Sequence, residues 1–413
     1  MTPRAAVSVI VASRRRPDDL ALCLAGLAAQ DHPAFEVIVV GDEPARAAAR
    51  GRPVRFIAFD APNLSVARNL GLRHAAGEIV AFIDDDAVAL PGWLRALTEP
   101  FARPEVAGAG GRVLTRGWRR PDWTAGTVDR SGRVTPLEAH EDRTTLHRGT
   151  SERTVTVLGT NMAFRRADLL RLGGFDPALR YYLDETDLCL RMAGSTFAVV
   201  PGAMVLHRRA ANASRRADRA LRDLTEIGAS QAVFLRRHLP QPDRDSALRR
   251  FSADMRRRVL RQMLNGLLEP GDIVPVLETL AAGIRLGQSR ELPALLPLED
   301  AAGDFLPHPS PRGDLTVLAG RPWQMRGMRQ KAQERLEQSR IVVLIVLGPT
   351  AAPHALDVEA GGVWVQRGGL FGPSRDREPL FRYRSFDRRV RNEAEEWHRI
   401  AGNPDLRTVL ERP

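Results

Sequence analysis

The amino-acid sequence predicts an α/β fold, a sheet of mainly parallel strands covered by helices on both faces. Three observations carry this expectation. Short apolar runs of strand length recur from Val7 to Ile83. Helical patterns separate them, which is the rhythm of strand–helix–strand units. The runs are apolar throughout rather than alternating, as in strands buried on both sides.

Taken in order, residues 7–11 read as a first strand, 18–30 as a helix and 35–40 as a second strand. An Ala/Arg-rich helix follows, then a strand at 54–57, a helix at 65–76 and a strand at 79–83 that runs into Asp84, Asp85 and Asp86. In such sheets ligands sit at the carboxyl ends of the strands, which is where this acidic run lies. From 108 to 153 the periodicity loosens, and irregular edge structure with a mobile loop is expected. Order returns at 155–165, with a helix at 167–172, a second acidic cluster at Asp184, Glu185 and Asp187, and a strand near 197–200. Amphipathic helices are expected at 217–238 and 246–268. Residues 293–313 are rich in Pro and acidic side chains and read as a linker. The remainder predicts a helix at 325–338, a strand at 341–347, glycine turns around Gly361 and Gly368, and a charged helix at 388–400. The expected organisation is an N-terminal α/β domain over 1–215, a helical extension over 216–292, the linker, and a small C-terminal α/β domain over 314–413. This agrees with a length of 413 residues, since single cores stop growing near ~250–300 residues.

The net charge is +11 and Lys331 is the single lysine, so arginine supplies nearly all of the excess. Such a surface suits phosphorylated or anionic partners. No aromatic-interleaved basic patch, helix-turn-helix or zinc-finger spacing appears, so nucleic acid is not an expected partner. The basic stretches 215–222 and 249–261 suggest a peripheral contact with anionic membrane surfaces. Cys23 and Cys189 sit in apolar stretches without metal or disulfide spacing, which points to a reducing compartment. The apolar segment 5–12 is followed at once by Arg14, Arg15 and Arg16 without a cleavage signal, and no run approaches the ~18 apolar residues of a membrane span. The expected location is the cytoplasm, with contact at the inner face of the membrane.

Carboxylates at i and i+2 on an extended segment share a side, so Asp84 and Asp86 can face one hard divalent cation bound to a diphosphate. A charged strand-end loop is the competing reading. The second cluster can supply a general base, or it can cap a helix N-terminus. His207, after a strand-like run, can complete a manganese site or stand as an ordinary surface or core histidine.

These residues fall in an order that resembles family 2 glycosyltransferases of the GT-A fold. Val7-Ser-Val-Ile-Val11 with Arg14 to Pro17 resembles the opening strand and nucleotide-binding turn, and Glu36-Val-Ile-Val-Val-Gly-Asp42 resembles the second strand. Asn63-Leu-Ser-Val-Ala-Arg-Asn-Leu-Gly71 is similar to the segment before the metal motif, and Gly77-Glu-Ile-Val-Ala-Phe-Ile-Asp-Asp-Asp86 to that motif itself. Gly159-Thr-Asn-Met-Ala-Phe-Arg165 with Gly173-Gly-Phe-Asp176 resembles the acceptor-side signature. Tyr181-Tyr-Leu-Asp-Glu-Thr-Asp-Leu-Cys-Leu-Arg191 resembles the base-bearing motif. The resemblance implies a mixed, Rossmann-like sheet and inverting transfer of a sugar from a nucleotide-sugar donor to a saccharide or lipid-linked acceptor, in polysaccharide or glycolipid assembly. It implies Mn2+ or Mg2+ held by Asp84, Asp86 and His207. It implies donor contacts from Ser13, Arg14, Asp42, Asn63, Arg68, Asp84, Asp85 and Asn161, with Arg68, Arg191 and Arg208 as cations for the departing diphosphate. The base is Glu185 by position in the motif, with Asp184 as the alternative, because the family's usual Glu-Asp order is reversed here. The turn after the second strand also departs from the usual Asp-Asp-Gly-Ser.

Two other readings compete. A nucleotidyltransferase would share the carboxylates and metal, but Ala12-Ser-Arg-Arg-Arg16 lacks its glycine-rich phosphate loop. A catalytically degenerate glycosyltransferase-like domain, acting as a basic membrane-surface or interaction protein, would keep the fold and lose the chemistry.

Overall fold

The computed structural model describes residues 5–117, 121–208, 214–216, 218–309, 313–375 and 378–412. Its first half alternates strands and helices: β1 (Val7–Ser13), α1 (Pro17–Ala28), β2 (Phe35–Gly41), α2 (Glu43–Ala49), β3 (Arg55–Ala58), α3 (Leu64–His74) and β4 (Ile79–Phe82). Every residue of β2 and β4 is buried, as their unbroken apolar sequence requires. Burying each Val, Ile or Phe contributes about 1.5–3 kcal/mol, and these strands hold the centre of the core. Pro17 opens α1, while Asp42 and Asn63 cap α2 and α3 by accepting the N–H groups of Ala45 and Val66.

The chain continues through β5 (Ala87–Ala89), α4 (Trp93–Thr98), β6 (Val106–Leu114), β7 (Gly126–Asp129), β8 (Val134–Pro136), β9 (Thr145–Arg148), β10 (Arg153–Thr156), β11 (Met162–Arg165), α5 (Arg166–Arg171), α6 (Asp184–Arg191) and β12 (Thr196–His207). The main sheet runs β3-β2-β1-β4-β11-β6-β12-β5, with β9 on β12. Strands β3, β2, β1 and β4 are parallel, β11 is antiparallel to both its neighbours, and β12 is parallel to β6. The sheet is therefore mixed, with the carboxyl ends of β1, β4, β6 and β12 on one edge.

Residues 108–153 depart from the sequence expectation, because β6 is a central strand rather than irregular edge structure. Its glycines hid it. They are there because a Cβ at Gly108 would lie 2.7 Å from the Phe197 ring, and one at Gly111 would lie 2.0 Å from the Ala203 carbonyl. Strands β7, β8 and β10 form a separate small sheet from the same stretch.

Helices α7 (Thr225–His238), α8 (Gln241–Leu264) and α9 (Ile273–Ser289) pack on the α6 side of the sheet. The expected helix start at Ala217 lies outside the described residues, as does Arg209 beside His207; the described helix begins at Thr225. The segment 293–309 forms a strap rather than a free linker. Leu298 N–H donates to the Leu170 carbonyl, Leu306 N–H to Glu36, and His308 stacks on Phe35 at 4.8 Å. Residues 310–312 of the expected linker lie outside the described residues.

The C-terminal part comprises β13 (Asp314–Gly320), α10 (Met325–Leu336), β14 (Ser339–Gly348), β15 (Ala355–Glu359), β16 (Val363–Gly369), α11 (Phe386–Ala401) and β17 (Thr408–Glu411), in the order β15-β16-β14-β13-β17. Gly361 sits in a left-handed turn at φ 78°, but Gly368 lies within β16 rather than in a turn, where a Cβ would collide with the His354 ring. This sheet and α11 share one apolar cluster with Val88, Leu90, Leu114 and Leu206 of the main sheet. Its edge strand β15 reaches the carboxyl end of β12: Leu356 N–H donates to the Arg116 carbonyl, and Arg208 pairs with Asp357 at 3.2 Å. Among the described residues no helix is long and apolar enough to cross a membrane.

Candidate active site

Three potential ligands converge at the carboxyl edge of the main sheet. Asp84 and Asp86 follow β4 and His207 ends β12; one carboxylate oxygen of each aspartate and one imidazole nitrogen all lie within 4.8 Å of one another. The i, i+2 spacing on an extended segment brings the two carboxylates together as the sequence predicts, and β12 supplies the imidazole. His207 Nε2 sits 3.2 Å from Asp86 Oδ1. Burial works against the imidazolium, but the Asp86 carboxylate outweighs it and raises the His207 pKa. Two carboxylates and one imidazole form a donor set that fits Mn2+ better than Mg2+, which prefers oxygen alone.

Arg68, on α3, links this cluster to the second acidic group. Its buried guanidinium donates to Asp84 Oδ1 and the Gly159 carbonyl, both at 3.1 Å, and to Asp184 Oδ2 at 2.5 Å. It also lies over the Phe175 ring at 5.3 Å. Thr160 donates its hydroxyl to the second oxygen of Asp84. Asp184 is thus buried and ion-paired at the start of α6. Glu185, next in sequence, is half-buried. Burial pushes its pKa well above the usual carboxylate range, the neighbouring Asp184 adds to the rise, and Arg68 opposes it. The helix is entered through Leu183 in the left-handed region at φ 67°, a conformation that costs a non-glycine residue ~1–2 kcal/mol.

The remaining predicted residues divide. Ser13 donates to Asp85 at 2.9 Å, and Arg16, which the sequence reading placed only within a turn, contacts Asp85 at 3.1 Å and Asp86 at 3.4 Å. Burial lifts Asp85 to about 7 against the pull of Arg16, and Asp86 adds to the rise. Asp85 therefore packs inward and braces Ser13 and Arg16. Asp42 accepts the N–H of Arg15 at 2.8 Å and that of Ala45 at 3.1 Å, so its carboxylate fixes the turn after β1. Arg14 reaches out to Asp60, and Asn63 ties α3 to the Pro177 carbonyl. Asn161 is fully buried, accepts from Trp93 and donates to the Arg112 and Ala203 carbonyls, so its amide faces the protein interior. Arg191 is taken up by Asp187 and the carbonyls of Leu172 and Gly174. Asp187 is buried; burial alone would raise its pKa, but His238 and Arg191 outweigh that and hold it low. Arg208 donates its N–H to the Asp86 carbonyl at 2.8 Å and its guanidinium to Asp357. Arg16, Thr160 and Asp357 went unread because their roles depend on pairing across the fold.

The first half of the chain is similar to known proteins. Residues 8–173 match the family model described as glycosyl transferase family 2. The matched segment includes Asp84 and Asp86 and ends before Glu185 and His207. It is 29% identical over 239 residues to the O-antigen biosynthesis protein RfbC of Myxococcus xanthus, covering 52% of this chain and 18% of that protein. It is 32% identical over 117 residues to a glucosyl-dolichyl phosphate glucuronosyltransferase of Haloferax volcanii, covering 27% and 34% respectively. The chain thus spans well under half the length of either relative. Among solved structures it is similar to the mannosyltransferase PcManGT of Pyrobaculum calidifontis in complex with GDP-Man and Mn2+, at 19% identity over 69% of this chain and 88% of that one, with a TM-score of 0.40.

Proposed function

We propose that the protein transfers a sugar from a nucleoside-diphosphate sugar to an acceptor hydroxyl with inversion, and that it uses a divalent metal ion to do so. The observation that carries this reading is the convergence of Asp84, Asp86 and His207 beside the Arg68-linked acidic start of α6. Asp84, Asp86 and His207 would hold the metal, for which Mn2+ is the better match and Mg2+ the alternative. Once bound, the ion would neutralise negative charge on the departing diphosphate.

The chain's own groups supply the rest. Arg16, half-buried beside Asp85 and Asp86, adds positive charge where the diphosphate oxygens would lie. Arg68 holds the carboxylates of Asp84 and Asp184 through one guanidinium. Glu185 then stands as the base. It takes the proton from the acceptor hydroxyl as that oxygen attacks the anomeric carbon from the face opposite the leaving diphosphate. Its raised pKa makes it a stronger proton acceptor than an ordinary glutamate. Asp184, paired with Arg68, is the less suitable of the two. The names of the relatives, one in O-antigen biosynthesis and one acting on a dolichyl phosphate-linked sugar, support an acceptor in polysaccharide or glycolipid assembly.

The test is release of nucleoside diphosphate from a panel of nucleotide-sugars with Mn2+, Mg2+ or EDTA. Metal-dependent cleavage of one donor, absent in Asp86→Ala, is the expected result. No cleavage and no nucleotide-induced thermal shift across the panel would favour the degenerate-domain reading instead.

A further inference from the structure

The carboxyl edge of the C-terminal sheet carries exposed apolar side chains from two segments. Trp323 follows β13, and Leu380, Phe381 and Tyr383 lie between β16 and α11; all four are between 60% and 82% exposed. Packing joins the segments into one surface. A Cβ at Gly348, which ends β14, would lie 4.0 Å from Pro322, and the Gly348 carbonyl accepts the Leu370 N–H at 2.8 Å. Next in sequence, the Phe371 carbonyl accepts the Arg382 N–H at 2.9 Å, and the Phe371 ring lies 5.5 Å from that of Phe381 and 5.8 Å from that of Tyr383. Arg321 closes the set, its guanidinium 4.5 Å from the centre of the Phe386 ring. Contiguous apolar side chains left on a folded surface mark a place of contact.

The edge is also positive. The carboxylates beside it are taken, Glu378 by Arg384 at 3.3 Å and Asp387 by Arg412, whereas the exposed Arg382 and Arg388 have no carboxylate partner among the described residues. Helices α10 and α11 both begin here and add the positive ends of their dipoles. The edge lies on the same side of the molecule as the cluster of Asp84, Asp86 and His207. At the amino ends of the strands, Arg340 of β14 donates to the carbonyl of Ala29, just past α1 where the chain turns back toward β2, at 3.1 Å. At the carboxyl ends, Arg116, two residues past β6, pairs with Asp357 of β15 at 2.8 Å. The two sheets therefore carry their carboxyl edges together.

We propose that this edge docks on an anionic membrane surface, with Trp323, Leu380, Phe381 and Tyr383 entering the headgroup layer and Arg382 and Arg388 facing the lipid phosphates. Tryptophan and tyrosine favour that layer, and each arginine near it gains from the negative surface potential. A second copy of the chain is the poorer fit, because it would set the same positive edge against itself. The surface is distinct from the basic stretch 249–261 on α8. Docking here turns the carboxyl edge of the main sheet toward the bilayer, which gives the transferase reading above a route to lipid-linked acceptors; the docking itself does not depend on that reading.

The full chain, free of donor and metal, is floated with vesicles of phosphatidylcholine alone and of phosphatidylcholine with phosphatidylglycerol. Binding to the anionic vesicles alone, weakening as salt is raised, is the expected result. Arg382→Gln/Arg388→Gln should weaken it about tenfold or more and Trp323→Ser by a similar factor, with melting temperatures that match the wild type because all three positions are exposed. Arg256→Gln/Arg257→Gln on α8 should leave it unchanged. The proposal is overturned by no binding to the anionic vesicles, by equal binding to the neutral ones, by binding that survives both edge variants, or by loss in the α8 variant instead. A chain that ignores vesicles and sediments as a dimer split by Trp323→Ser identifies an interface between copies, which overturns it too. Nucleoside diphosphate release in vesicle-free buffer reports separately on the transferase reading, so the two can fail independently.

Discussion

Replacing Arg68 with methionine removes a cation that pairs with both acidic clusters, and its cost can be worked from burial. The Arg68 side chain is 4% exposed, that of Asp184 2% and that of Asp84 29%. The Asp84 contact is partly solvated and contributes little of the loss. The Asp184 contact is buried, and removing one partner of such a pair leaves an uncompensated charge at a cost of about 3–5 kcal/mol. At roughly 2–4 °C per kcal/mol for a unit of this size, the melting temperature should fall by about 10 °C. Differential scanning calorimetry at neutral pH reads this directly. Adding Asp184→Asn should restore part of the loss, since the stranded charge is then gone, and the double-mutant cycle should show a coupling of ~1–3 kcal/mol. A stability loss below ~1 kcal/mol for Arg68→Met would refute the buried-pair argument.

Three further outcomes follow from the same geometry. Glu185 has a folded pKa above its unfolded value, so its contribution favours the fold below the unfolded pKa and is lost as pH rises through the folded one; Glu185→Gln should abolish transfer while raising the melting temperature at neutral and alkaline pH, with the gain shrinking on acidification. Gly111→Ala places a methyl against the Ala203 carbonyl in the middle of the sheet and should destabilise by about 3 kcal/mol, measured by urea unfolding. Asp357→Ala removes the carboxylate that pairs with Arg208 and leaves its bond to the Val358 carbonyl, while the Arg208 N–H holds the Asp86 carbonyl; modestly weaker Mn2+ affinity, with global stability changed by less than ~1 kcal/mol, is the expected result in a fluorescence titration.

Much of this architecture was legible because burial on two faces leaves a plain mark. Strands β1, β2 and β4 read as unbroken apolar runs, and the acidic run after β4 marked the ligand-binding edge. Strand β6 was not legible, since Gly108, Gly110 and Gly111 give no β-forming signal and make sense only once Phe197, Val157 and Ala203 are packed against them. The same division holds in the site. The spacing of Asp84 and Asp86 announced shared geometry, whereas the burial of Asn161 and the inward packing of Asp85 depend on partners distant in sequence. The clasp between Arg208 and Asp357 joins residues 149 apart, a separation over which no local pattern reaches.

The central claim is that Asp84, Asp86 and His207 form a metal site for the donor diphosphate and that Glu185 acts separately on the acceptor. The most direct test is nucleoside diphosphate binding, measured calorimetrically with and without Mn2+, in the wild type, Asp86→Ala and Glu185→Gln. The account predicts Mn2+-enhanced binding in the wild type and Glu185→Gln, and its loss in Asp86→Ala. Binding indifferent to Mn2+ in the wild type, or lost in Glu185→Gln as fully as in Asp86→Ala, would contradict it.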